Sequence, residues 1–254
     1  MVKNKWLLVL IILLLSACAG HSPEIIPTPE PETTPTPDPS PTIDWFPSTA
    51  TPTRSATAVS GLPTQITEVP VSWDMKIADD FSEQSHWQVF SADAGTVAYE
   101  DGALALALPA GKHSLVSLSD HILPGSFYLE MTVEALMCSE ADQYGLILWR
   151  NSTSGTFRIW FNCRGEVMAD RLLSDSTGKL LKWQTARKLQ PGAPSSNRIA
   201  LWAENGMLKV FANGVEQFSL QIFNDLSGAL GVIAQTSGKN AATFAISELV
   251  IYAP

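Results

Sequence analysis

Phe127-Tyr-Leu-Glu-Met-Thr-Val-Glu-Ala135 decides the architecture of this chain. Every odd position is apolar, and the even positions are mostly polar. A strand sends successive side chains to opposite faces, so Phe127, Leu129, Met131, Val133 and Ala135 share one face, with Glu130, Thr132 and Glu134 behind them. The stretch predicts a sheet with one side on a core. Leu104, Leu106 and Leu108 repeat the alternation within Ala103–Leu108. Leu146 to Trp149 is apolar without interruption, which predicts a central strand covered on both faces.

Turn chemistry on either side of this stretch supports the same reading. Asp101-Gly102, Asn205-Gly206 and Asn213-Gly214 each separate two strand-like runs, and these dipeptides suit the positive φ angles of tight hairpins. Ser154-Gly155 and Arg164-Gly165 mark two more turns. Residues 199–203, 207–212 and 215–220 form an expected three-strand meander, and residues 228–234 and 243–252 end the domain. Leu172 to Lys182 is too broken by Ser, Asp, Thr and Gly to be a helix. Many short antiparallel strands between frequent turns imply an all-β, two-sheet sandwich. From Trp73 to Tyr252 the chain suffices for one sizeable core. Residues 127–135, 144–151 and 156–163 are expected as a second meander. It places Cys138 and Cys163 at one sheet edge, where a disulfide requires the 137–142 loop to fold over.

The N-terminal part is a different material. Lys3 and Lys5 precede an apolar run from Trp6 to Leu15, too short and wrongly flanked for a spanning helix. Its ending, Leu15-Ser16-Ala17-Cys18, resembles the bacterial lipoprotein box, in which the cysteine is lipidated and becomes the mature N-terminus. The resemblance implies a removed signal at 1–17 and a lipid anchor on Cys18, more than one acyl chain being needed for durable anchoring. Ala19 follows in place of the Asp that retains many such proteins at an inner membrane, so display on the extracytoplasmic side of the bacterial cell membrane is expected. Residues 18–71 then read as a disordered tether. Twelve of the chain's 17 prolines lie between His21 and Val71, with Thr and Ser in most of the gaps. Fully stretched, at roughly 3.1 Å per residue, it reaches on the order of 150 Å. Trp45-Phe46 is its one apolar spot.

Six acids against Arg54 make the tether acidic, and the part from Ser72 onward carries most of the chain's net charge of −9. Such a balance repels phosphate backbones and argues against a nucleic-acid partner. With Cys18 lipidated, Cys138 and Cys163 remain as an even pair in an oxidising compartment, and a disulfide is expected. Their spacing fits no zinc motif, and His21, His86, His113 and His121 do not cluster with them in the sequence.

Several short motifs occur in a telling order: Asp79-Asp80-Phe81-Ser82 with Trp87, Tyr99-Glu100-Asp101-Gly102, Tyr144-Gly145-Leu146-Ile147 with Arg150, Asn197-Arg198, Asn213-Gly214, and Gly228-Ala-Leu-Gly231-Val232. Together they resemble bacterial surface domains of the concanavalin A-like lectin/glucanase superfamily over about residues 77–252. The resemblance implies a jelly-roll sandwich similar to laminin-G-like domains and to the 3-keto-disaccharide hydrolase fold. Laminarinase-type enzymes on this fold carry Glu-x-Asp-x-Glu along one strand. The nearest analogue here is Glu130-Met-Thr132-Val-Glu134, with Thr132 in place of the central Asp. Its glutamates are roughly 13 Å apart on an ideal strand, beyond the carboxylate separations glycoside hydrolysis uses. The pair therefore reads as two solvated strand residues, and no catalysis is expected. No Gly-x-Ser-x-Gly elbow or phosphate loop appears. No cofactor is expected; Asp79, Asp80, Asp142 and Asp225 are the residues from which a calcium ligand set could be drawn.

Aromatic residues off the core face carry the functional expectation. Alternation leaves Arg158 and Trp160 opposite Phe157, Ile159 and Phe161, and Arg198 and Trp202 opposite Ile199, Leu201 and Ala203. Trp149 lies on the strand expected beside Trp160. Flat rings stack on the apolar faces of sugars and arginines reach hydroxyls, so Trp149, Arg158, Trp160 and Trp202 are the candidate ligand contacts. The competing reading is that these tryptophans are ordinary packing under loops. The leading expectation is a surface lipoprotein whose 72–254 domain binds carbohydrate or another cell-envelope ligand without catalysis. A glycan-cleaving enzyme and a protein-interaction module of an envelope assembly are the alternatives, marked respectively by converging carboxylates and by a broad apolar patch.

Overall fold

A computed structural model of the protein describes residues 72–150, 152, 155–174, 176–223 and 226–254. The leader, Cys18 and the proline-rich tether lie outside the described residues. The described strands, in chain order, are β1 (Asp74–Asp79), β2 (Phe90–Ala92), β3 (Gly95–Glu100), β4 (Ala103–Leu108), β5 (Ser114–Leu123), β6 (Phe127–Met137), β7 (Gln143–Arg150) and β8 (Thr156–Asn162). They continue with β9 (Glu166–Leu172), β10 (Thr177–Thr185), β11 (Ser195–Glu204), β12 (Met207–Ala212), β13 (Val215–Gln221), β14 (Gly228–Gln235) and β15 (Ala242–Ala253). Among the described residues there is no helix.

The strands form two antiparallel sheets. One has nine strands, in the order β13-β12-β11-β6-β15-β4-β3-β2, with β1 pairing the C-terminal half of β15. The other has six, in the order β10-β9-β8-β7-β14-β5. Between them lies the core. Phe127, Leu129, Met131, Val133 and Ala135 enter it from β6, Leu104, Leu106 and Leu108 from β4, and Phe157, Ile159 and Phe161 from β8. The alternation read in the sequence therefore sets the inner face of each strand. Type I′ geometry explains the hairpins: Asp101/Gly102, Asn205/Gly206 and Asn213/Gly214 all adopt positive φ, between 49° and 76°.

One pairing differs from expectation. β6 does not neighbour β7; it sits between β11 and β15 in the nine-stranded sheet, and the chain then crosses to the six-stranded sheet. The meander is β7-β8-β9 instead. The disulfide exists, but for another reason than the one the meander supplied. Cys138 follows the end of β6 and Cys163 the end of β8, so the bond ties one sheet to the other at a Cα–Cα distance of 6.4 Å. Closing 25 residues of chain in this way disfavours the unfolded state by about 3 kcal/mol.

Candidate functional site

The outer face of the nine-stranded sheet carries a registered row of side chains. Lys209 on β12 pairs with Trp202 on β11, Trp202 with Tyr128 on β6, Tyr128 with Tyr252 on β15, and Tyr252 with Met75 on β1. Trp202 and Tyr128 meet edge to face with ring centroids 6.4 Å apart, and Tyr128 and Tyr252 lie tilted to each other at 6.2 Å. Trp73, just before β1, closes on Trp202 at 6.2 Å. Tyr128 is buried beneath these rings, whereas Trp202, Tyr252 and Trp73 stay half-buried and present ring surface to solvent. Cross-strand aromatics of this kind reinforce the sheet while leaving one flat face free.

One row along the sheet, polar groups meet. Glu130 accepts a hydrogen bond from the Tyr128 hydroxyl at 2.6 Å, and its other oxygen is paired with the Arg198 guanidinium. Burial raises the Tyr128 pKa, and the bond to Glu130 adds to the shift, so the phenol remains a donor at any physiological pH. Arg198 is held by its neighbours in the chain. Its backbone N–H donates to the Asn213 side chain at 2.8 Å, and Asn213 in turn donates to the buried Asn197 at 2.9 Å. The Asn197-Arg198 and Asn213-Gly214 motifs are thus the frame that places this guanidinium.

Glu248 completes the cluster through a bulge. Between Ser247 and Val250, β15 gains one residue relative to β6, and Glu248 takes φ 55°. Two consecutive side chains then face outward, and Glu248 accepts a bond from the Thr132 hydroxyl at 2.9 Å. Glu130, Thr132, Arg198, Glu248, Val250 and Tyr252 line one shallow depression. The residue in the third position of the glutamate strand motif, Thr132, therefore does have a carboxylate partner, supplied from β15. Glu134 is exposed on the same strand and contributes nothing to the depression. Sequence reasoning missed Glu248, Tyr252 and Tyr128, because only the strand order β11-β6-β15 brings them together.

The four candidates from the sequence do not converge. Trp202 is on this face. Arg158 and Trp160 lie on the outer face of the opposite sheet, where Trp160 is 2% exposed and packs with Ile147 and Ile233 under Met168 and Trp183. Arg158 is clamped to its cross-strand partner Asp170 by two bonds of 2.6 and 2.8 Å. Trp149 is fully buried in the core. Strict alternation sends it outward, but β7 is bulged where Leu148 and Trp149 face the single Leu230, and Trp149 takes φ 54°. The bulge turns its indole inward, where Nε1 donates to the Pro124 carbonyl at 2.9 Å. Gly228 makes room for this, since a Cβ there lands 2.6 Å from the Arg150 carbonyl oxygen.

The aspartates considered for calcium serve the backbone. Asp79 accepts from the Phe81 N–H and the Trp87 indole, and the buried Asp142 from the N–H groups of Ser139 and Ser237. Asp80 accepts from the Ser82 hydroxyl and N–H, which lower its pKa in that order. Asp225 lies outside the described residues.

No family model matches the chain, and no curated protein is similar to it in sequence. Solved structures are similar in fold. The carbohydrate-binding module CBM66 from Bacillus subtilis superposes with a TM-score of 0.51 at 11% identity, over 66% of this chain and 96% of that one. The Bacillus licheniformis β-glucanase gives 0.52 at 11% identity, over 70% and 97%. The laminarinase catalytic domain from Thermotoga maritima gives 0.53 at 8% identity, over 72% and 98%. The fold is a two-sheet antiparallel jelly-roll sandwich, an architecture shared by a binding module and by hydrolases.

Proposed function

We propose that the protein binds a glycan on the outer face of its nine-stranded sheet, around Trp202 and Tyr252. The observation that carries this reading is the juxtaposition of half-exposed rings with fixed polar groups. Trp202, Tyr252 and Trp73 offer flat apolar surface, and Arg198, Glu130 and Glu248 stand beside them as hydrogen-bonding groups. A sugar ring needs both: an apolar platform for its C–H face and oriented partners for its hydroxyls. The neighbours' names, a carbohydrate-binding module and glucanases, support the same class of ligand. Of the four sequence candidates, Trp202 keeps this role.

Affinity electrophoresis through gels containing soluble polysaccharides, laminarin among them, tests the proposal. Retardation by at least one polysaccharide is expected, and Trp202→Ala or Tyr252→Ala should abolish it. Unretarded migration throughout, or retardation that survives both substitutions, overturns the site. A second reading follows from the shared depression of Glu130 and Glu248. Release of reducing ends that vanishes in Glu130→Gln and Glu248→Gln would replace binding by hydrolysis.

The domain's address is part of the same proposal: a lipid on Cys18 and the proline-rich tether hold it outside the membrane. Mass spectrometry of the mature N-terminus should find acylated Cys18 and no residue before it. A mature chain with an unmodified Cys18 removes the anchor.

A further inference from the structure

A second cluster lies away from the aromatic face, at the edge of the six-stranded sheet. β5 is the edge strand there, and its free side is partly capped by the segment after β1. Trp87 bridges Ser119, the Asp120 N–H donates to the His86 carbonyl at 3.0 Å, and the Gln88 N–H donates to the Leu118 carbonyl at 3.0 Å. This pairing sets His86 beside Asp120 and His121, although the two histidines are far apart in the sequence.

The side chains then converge through like atoms. His86 Nδ1 lies 3.2 Å from both carboxylate oxygens of Asp120, and His121 Nδ1 lies 3.4 Å from Asp120 Oδ1. One ligand atom from each of the three falls within 4.8 Å of the others, and the imidazole rings are 5.0 Å apart. Tetrahedral bonds of about 2.0–2.1 Å place ligand atoms about 3.3 Å apart, so two of the three edges already have that length. The far nitrogens are also matched. His86 Nε2 faces Glu83 at 3.9 Å, and His121 Nε2 faces the buried Asp79 at 3.9 Å. His121 Nε2 is buried and has no hydrogen-bond partner at its present position. A carboxylate behind the non-ligating nitrogen is what orients an imidazole on a metal.

We propose that His86, Asp120 and His121 bind a divalent transition metal of the zinc type through His86 Nδ1, His121 Nδ1 and the Asp120 carboxylate. Asp79 and Glu83 orient the two imidazoles from behind. Two imidazoles and a carboxylate favour zinc-type ions over calcium, which takes oxygen ligands. Asp120 and His86 are open to solvent on one side, with side-chain exposures of 63% and 35%, so the fourth position faces water. The bound ion would pin the segment carrying His86 to the edge of β5, covering backbone groups that edge strands otherwise leave unpaired.

Isothermal titration of the chelator-treated full-length chain with zinc chloride tests the site. One saturable site is expected. His121→Ala and Asp120→Asn should each weaken it by more than about 10-fold, the scale on which even orienting partners act, whereas His113→Ala should leave it unchanged. Cobalt in place of zinc should give the visible spectrum of a tetrahedral centre. Because His121 is nearly buried, the half-exposed His86→Ala serves as the variant that keeps the fold, checked by circular dichroism. Lack of saturable zinc binding by the wild-type chain, or affinity unchanged in the folded His86→Ala protein, overturns the proposal.

Discussion

The two outer faces of the sandwich are built from the same ingredients and put them to opposite use. On the six-stranded sheet, Trp160 is covered by Met168 and Trp183, and Arg158, 5.4 Å over its ring, is spent on Asp170. On the nine-stranded sheet, Trp202 stays part-exposed, Lys209 lies over its ring at 6.0 Å, and Arg198 remains 42% exposed while paired with Glu130. The difference comes from neighbours rather than from the tryptophans. β14 and β5 offer Ile233, Val116 and Leu118 to close over Trp160. Around Trp202 the cross-strand partners are Lys209, whose ammonium lies over the ring, and Tyr128, which meets it edge to face, and together with Trp73 they leave the indole part-exposed. A tryptophan and an arginine on alternate positions therefore mark a surface only when the flanking strands do not bury them.

The contrast between the two faces is largest at Trp160. Trp160→Ala empties a closed cluster and should cost about 3–5 kcal/mol in urea unfolding, with polysaccharide binding by the remaining folded protein intact. Trp160→Phe should be far milder. It keeps most of the ring contacts and removes a buried indole N–H that has no hydrogen-bond partner. Equal losses for the two variants would mean that the cluster is not sealed by ring packing.

Much of this fold is legible from residues whose neighbours matter little. In β6 one face meets the core from Phe127 to Ala135, so alternation alone assigns the inward side chains of that stretch. The Asn-Gly and Asp-Gly hairpins are equally local. β5 is obscure for a definite reason: Ser117 and Ser119 face inward, where their hydroxyls bond the Gln88 and Leu230 carbonyls. Val116 and Leu118 point outward to the Trp160 cluster, so the apolar period is out of phase with the core. Trp149 is misplaced by a bulge that shifts the period by one residue. The partner of β6 was beyond reach, because a chain that crosses between sheets looks the same in sequence as one that turns back. The aromatic row and the Glu248 contact depend on that partner. The His86 and Asp120-His121 meeting depends on one short bridge, and nothing local announces it.

The smallest expected change in stability is also the most discriminating for function. Trp202→Ala removes an edge contact with Tyr128 and one with Trp73, each worth on the order of 0.5–1.5 kcal/mol when well buried. Since Trp202 is half-exposed and Tyr128 retains its contact with Tyr252, the cost in urea unfolding should be about 1 kcal/mol. The same substitution should abolish polysaccharide retardation. A large stability loss would make Trp202 a packing residue like Trp160, and the two faces would then differ only in degree. A small loss accompanied by full loss of binding separates them: one tryptophan closes a cluster, and the other is held open at a stability cost the fold can bear.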